Sequence, residues 1–151
     1  MVDAVNKLIP VHQMWDGFWI EDFEHNTLTV SCSFDALLYK NFEVVFKEVI
    51  FFKLPESWLD TNIPGDALLH PCSTASFNET YPNFDTKGLS IFAIPLKIVL
   101  PISKQVMLYT FHVVAASVKA QKCMEGYNRP TKYYNDPFKL EKFPCFKNRV
   151  L

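Results

Sequence analysis

At 151 residues, with 15 Lys+Arg against 16 Asp+Glu, the chain has the length of one domain and a formal net charge of −1. Apolar residues make up 49% and charged ones 21%, which excludes disorder as the main state, since disorder goes with low hydrophobicity and high net charge. Four glycines exclude a collagen-like chain, and no run of about 18 uncharged apolar residues offers a conventional membrane span.

Residues 2–9 predict a short helix ended by Pro10. Residues 14–24 form an acidic-aromatic lead-in, with Trp15, Phe18, Trp19 and Phe23 among Asp16, Glu21, Asp22 and Glu24. His25-Asn26 reads as a turn. Thr27 to Phe34 then alternates without a break. Leu28, Val30, Cys32 and Phe34 share one face and hydroxyl residues the other, as in a half-buried strand with the hydroxyls toward water or a second layer. Residues 41–54 are rich in Val, Ile and Phe and predict a strand. Its phase is broken, however, and a bulge near Lys47-Glu48 would shift it and curve the sheet. Pro55 ends that strand.

Residues 56–87, with Pro64-Gly65, Pro71 and Pro82, predict a long irregular stretch. Residues 89–100 predict a strand interrupted by Pro95, which cannot donate to a ladder and so implies an edge or a bulge. Residues 105–120 predict one long strand, and 126–146 an irregular segment with a short strand near Phe138–Leu140. Strands separated by turns rather than crossover helices give the expected fold: an α+β, mainly β, single globular domain over 1–151. Its architecture would be one curved antiparallel sheet, one short N-terminal helix and long loops.

Charge is divided along the chain. Residues 1–85 carry 13 acidic and 4 basic groups, residues 86–118 carry three lysines and no acid, and residues 119–151 carry 8 basic and 3 acidic groups. Either the two ends meet different partners, or they neutralise each other within one fold. The basic segment is too sparse for a nucleic-acid arm, and a pI of about 6.4 argues against general nucleic-acid binding. Cys32, Cys72, Cys123 and Cys145 are separated by 40, 51 and 22 residues, so no Cys-x-x-Cys pair seeds a zinc site. They read as small buried hydrophobes in a reducing compartment. The first residues lack a signal-peptide core, so the expected location is cytoplasmic, with no membrane contact.

No glycine-rich phosphate loop, Gly-x-Ser-x-Gly elbow or His-Glu-x-x-His motif is present, and no cofactor or metal is expected. The densest polar constellation is Asp16, Glu21, Asp22, Glu24 and His25. Consecutive residues point apart in strand or helix, which suits a solvated acidic turn better than a metal site. His112 lies inside an apolar strand and reads as a satisfied core or sheet-face histidine.

The aromatic-acidic-His lead-in from Trp15 to His25, the alternating strand, the segment Phe52-Lys53-Leu54-Pro55-Glu56-Ser57-Trp58 and the strand Phe111-His112-Val113-Val114-Ala115 carry a family resemblance. Together they resemble small bacterial uncharacterised proteins grouped with polymorphic-toxin immunity proteins. The likeness spans residues 15–58 and 105–118. The adjacent Phe-His-Asp order of those families is absent, and Asp22 precedes His25 instead. The resemblance implies an antiparallel sheet and a non-catalytic, protein-binding role.

The leading expectation is therefore a non-enzymatic module that binds a protein with a basic surface through Trp15, Asp16, Phe18, Trp19, Glu21, Asp22, Glu24 and His25, charge steering the encounter and aromatics anchoring it. The alternatives are a carrier with an apolar pocket in a curled sheet, or a hydrolase using His25 or His112 with a carboxylate. The sequence does not set the oligomeric state.

Overall fold

A computed structural model describes residues 1–34 and 40–123. The strand expected at Phe138–Leu140, Cys145 and most of the basic C-terminal segment lie outside the described residues. Helix α1 spans Val2–Leu8 and a 3-10 turn spans Val11–Gln13. Strands β1 (Gly17–Glu24), β2 (Thr27–Ser33), β3 (Phe42–Lys47), β4 (Phe51–Lys53) and β5 (Ser57–Trp58) follow. After a 3-10 turn at Asp60–Asn62 come β6 (His70–Cys72), helix α2 (Thr74–Thr80), β7 (Ser90–Val99), β8 (Val106–Ala115) and β9 (Ser117–Lys122).

The protein is mainly β and antiparallel, but it has two sheets where one curved sheet was expected. Their orders are β5-β1-β2-β3-β9 and β4-β8-β7-β6, and neither closes on itself. They face each other across a core in which Phe46 of β3 meets Phe92 of β7 and Phe23 of β1 meets Phe52 of β4, both edge to face.

The cause of the division lies at two corners. Residues 41–54 are not one bulged strand: Glu48 adopts a left-handed φ of 54°, and the chain leaves β3 in one sheet to enter β4 in the other. Residues 105–120 are likewise cut at Ala116 into β8 and β9, which belong to opposite sheets. The corners lie side by side. The Ala116 N–H donates to the Lys47 carbonyl at 3.0 Å, and the Ile50 N–H donates to the Val114 carbonyl at 3.0 Å. Two paired strands thus bend together from one layer to the next, as strands do when they switch sheets. The broken phase at Lys47-Glu48 is the sequence trace of that corner.

Other expectations stand. His25 and Asn26 both have positive φ, 50° and 57°, which gives β1 and β2 the two-residue primed turn that matches strand twist. The Val49 N–H donates to the Asn26 carbonyl at 2.8 Å and pins the first corner to that turn. In β7, ladder pairing with β6 stops at His70↔Ala93, so Pro95 lies where that side of β7 is an edge. Helix α1 buries Val5 against the core. Its Asn6 amide donates to the Leu69 carbonyl at 2.8 Å and accepts from the Leu69 N–H at 3.0 Å, tying the helix to the segment that enters β6.

Gly17, which opens β1, has φ +86°, and a Cβ there would lie 2.4 Å from the Trp58 carbonyl oxygen. Only glycine allows β5 to approach so closely.

The long irregular stretch 56–87 contains a second helix, α2, which the expectation of a single helix did not include. The Ser73 hydroxyl caps it by accepting from the Ser76 N–H at 3.1 Å. Helix α2 lies on the outer face of the second sheet, where Phe77 packs with Ile91, Val114 and Phe51.

Candidate functional site

The acidic-aromatic lead-in does not form one surface. In β1, Phe18 is 1% exposed and points into the sandwich, stacked on Trp58 at 5.5 Å between ring centroids. Trp19 and Glu21 are both 4% exposed on the opposite face. Trp15 is 68% exposed, Asp16, Glu24 and His25 are exposed, and Asp22 is half-buried. The expected patch therefore loses the anchors Phe18 and Trp19 and the charge of Glu21. The β1–β2 register slips between Ile20 and Asp22. That bulge keeps Trp19, Glu21 and Asp22 on one face while Phe23 returns to the core, which the assumption of strict alternation missed.

Glu21 instead belongs to a buried polar layer on the outer face of the first sheet. The Trp19 indole N–H donates to its Oε2 at 2.7 Å. Lys40, also buried, forms an ion pair with Glu43 and lies 3.8 Å from Glu21 Oε1. Gln121 of β9 donates to Glu43 Oε2 at 2.7 Å. The hydroxyl face of β2 lies in the same layer. Ser31 and Ser33 are fully buried, and the Ser33 hydroxyl donates to Asn41 Oδ1 at 2.8 Å. Of the alternating set, Leu28, Val30 and Cys32 face the core as expected, but Phe34 lies beyond the strand and is 46% exposed. Burial pushes the Cys32 thiol far above the ordinary range, with the neighbouring Cys123 adding to the effect, so Cys32 is a small core hydrophobe rather than a nucleophile.

On the second sheet, His112 is buried beneath α2. Its ring stands edge-on to Phe77 at 5.3 Å and to Tyr81 at 5.9 Å, and burial lowers its pKa. Its Nδ1 has no hydrogen-bond partner among the described residues. The expected sheet-face position is right, but the polar atom is not satisfied. The rings packed against His112 offer no carboxylate partner of the kind a His–acid pair would use. His25, the other candidate base, sits in the exposed β1–β2 turn.

Where a carrier would need a hollow, Phe18, Phe46 and Phe92 are fully buried core residues. An open groove of about 400 Å³ lies outside the core, between the first residues of α1, Pro71-Cys72 and Leu89–Phe92. Among the described residues, no group of three or more His, Cys, Asp or Glu is placed to hold a metal ion, and no helix is long and apolar enough to cross a membrane.

What sequence reasoning missed is at the far end of the second sheet. Strands β7 and β8 stay paired from Ser90↔Ala115 out to Val99↔Val106. Their short neighbours stop earlier, β6 at Ala93 and β4 at His112. Among the described residues, the outer part of the hairpin is therefore a two-stranded ribbon that no further strand flanks. It exposes Val99 (55%), Ile102 (97%), Val106 (62%), Met107 (46%) and Leu108 (63%).

The nearby loop continues the surface. Asn62 Oδ1 accepts from the Leu59 N–H at 2.8 Å, and its Nδ2 donates to the Lys97 carbonyl at 2.9 Å. This joins exposed Leu59 to the base of the hairpin. Residues 98–100 and 106–108 read from sequence as strand, and their continuous apolar composition holds no mark of exposure.

No family model, no curated protein and no solved structure matches the chain.

Proposed function

We propose that this chain is a non-enzymatic protein-binding module and that its contact surface is the apolar β7–β8 hairpin with the adjoining Leu59. One observation carries the reading: five large apolar side chains stand exposed on a ribbon that no other described strand flanks. Contiguous apolar surface of this kind marks interaction sites. Both faces of the ribbon are apolar, because Val106 and Leu108 lie on one side and Met107 on the other, so it suits a groove better than a flat partner. Trp15, in the turn before β1, adds an exposed aromatic of the type enriched at interfaces. The likeness of the lead-in to immunity proteins points to the same class of partner.

The test is co-purification of the tagged chain from its natural host. A stoichiometric protein should accompany the wild type and be lost from Val106→Asp and Leu108→Asp, with the unfolding midpoint of both variants nearly unchanged because the sites are exposed. Retention of the same partner by both variants would remove the hairpin from the interface.

A further inference from the structure

We infer that the open edge of β8 receives an extended, acidic segment of a protein partner as an added strand. The inference rests on the hairpin being the binding surface and adds how it binds and what chemistry it selects.

The geometry starts from the corner. The Val114 carbonyl accepts from Ile50 on the β4 side, and main-chain direction alternates along a strand, so the even-numbered residues of β8 address that side. The β7–β8 register runs without a slip, and the parity therefore holds to the tip. Pro95, opposite Thr110, is consistent with it: the pair is a non-hydrogen-bonded one, and the missing N–H of proline leaves the β7–β8 ladder intact. Strand β4 ends at Lys53↔His112. Beyond it the N–H and C=O groups of Val106, Leu108 and Thr110 point to an edge with no strand partner among the described residues. All three side chains are exposed. An unpaired row of donors and acceptors is a template for strand addition, in which backbone bonds supply affinity and alternate side chains supply selectivity.

Charge decides the occupant. The added strand would lie in line with β4, from Lys53 at one end to Lys104 at the other. The Lys53 ammonium donates to the Tyr109 hydroxyl at 2.9 Å on β8 itself. Lys97 and Lys104 complete a basic set, and no acid occurs in residues 86–118. No described carboxylate forms an ion pair with any of the three lysines. A second copy pairing antiparallel through the same edge would bring Lys53 of one chain toward Lys104 of the other, a like-charge contact. An acidic strand meets both lysines favourably.

The probe is a short, end-blocked, fluorescent peptide of alternating Glu and Val. It should bind with an affinity that falls as salt rises and should perturb the amide resonances of Val106, Leu108 and Thr110. A Lys–Val peptide should bind at least about fivefold more weakly, and a Glu–Val peptide N-methylated on alternate residues should not bind. Thr110→Pro removes one edge donor without touching the β7 ladder and should weaken binding, whereas Thr110→Val should not.

Equal binding of the Lys–Val or the methylated peptide would overturn the inference, as would no binding of the Glu–Val peptide at millimolar concentration. So would a dimer of the wild type that Thr110→Pro abolishes, which makes the occupant a second copy. Binding of anionic vesicles without binding of the peptide would make the hairpin a lipid anchor and overturn both readings. If the natural partner survives Thr110→Pro but not Leu108→Asp, strand addition fails while the hairpin surface stands. If it survives both, the proposed function fails as well.

Discussion

Each sheet has a buried patch on its outer face, and the two patches are of opposite chemistry. On the first sheet the covered groups are polar: the Lys40–Glu43 ion pair, Glu21 under the Trp19 indole, and the serines of β2. On the second they are rings: Phe51, Phe77, Tyr81 and Phe84 around His112. The aromatic side gains mainly from area removed from water and from edge-to-face contacts. The polar side gains little net energy from its ions, since desolvation offsets attraction, but removing one partner is costly. The same degree of burial therefore has different consequences for mutation.

The largest effect should come from removing one member of the ionic layer. Lys40→Met removes the buried ammonium that pairs with Glu43 and lies near Glu21 and should cost about 3–5 kcal/mol in urea unfolding. Adding Glu21→Gln and Glu43→Gln should recover part of that loss, because the uncompensated charge is gone. Phe77→Ala should cost a similar 3–5 kcal/mol or so through its cavity, and no polar change elsewhere should restore it. If the ionic variants show no recovery, the contrast between the two faces is wrong.

A smaller effect should appear with pH. Burial lowers the pKa of His112 from 6.5, so the unfolded chain takes up a proton at a higher pH than the folded one. Stability is then full above about pH 7 and falls as the pH drops through 6.5 toward the folded value. His112→Phe should flatten that slope while leaving stability at neutral pH nearly intact. An unchanged slope would show that the aromatic face does not shelter a neutral imidazole.

The smallest effects fall on the polar side. Ser31 is fully buried with no partner for its hydroxyl among the described residues, so Ser31→Ala should be neutral or slightly stabilising. Phe34→Ala, at a residue 46% exposed, should cost less than about 1 kcal/mol. A loss of several kcal/mol at Phe34 would return that side chain to the core.

How much of the candidate surface was legible follows from these residues. Of the acidic-aromatic lead-in, Trp15 is exposed, but Phe18, Trp19 and Glu21 are buried. Acidic and aromatic residues in succession do not reveal that a bulge will fold the charge onto a buried lysine. The exposure of Val106, Met107 and Leu108, within the strand predicted over 105–120, was not legible, because apolar composition reports what a side chain prefers and not whether a neighbouring strand reaches it.

The sequence by itself determined several of the elements and the core-facing side of β2. Alternation placed Leu28, Val30 and Cys32 together, His25-Asn26 made the turn, Pro10 closed the first helix, and Pro95 marked an edge or a bulge. These are consequences of local geometry, in which side-chain direction has a period of two along a strand and backbone angles depend on the residue. Only the tertiary structure decided that the sheet divides in two, that Ser31 and Ser33 of β2 are buried, and that the tip of β7–β8 is exposed. Those outcomes rest on contacts between distant segments, such as Lys47 with Ala116 and Lys40 with Glu21. A repeat of two residues states which side chains share a face, whereas the layer that covers the face is set by how the whole chain packs.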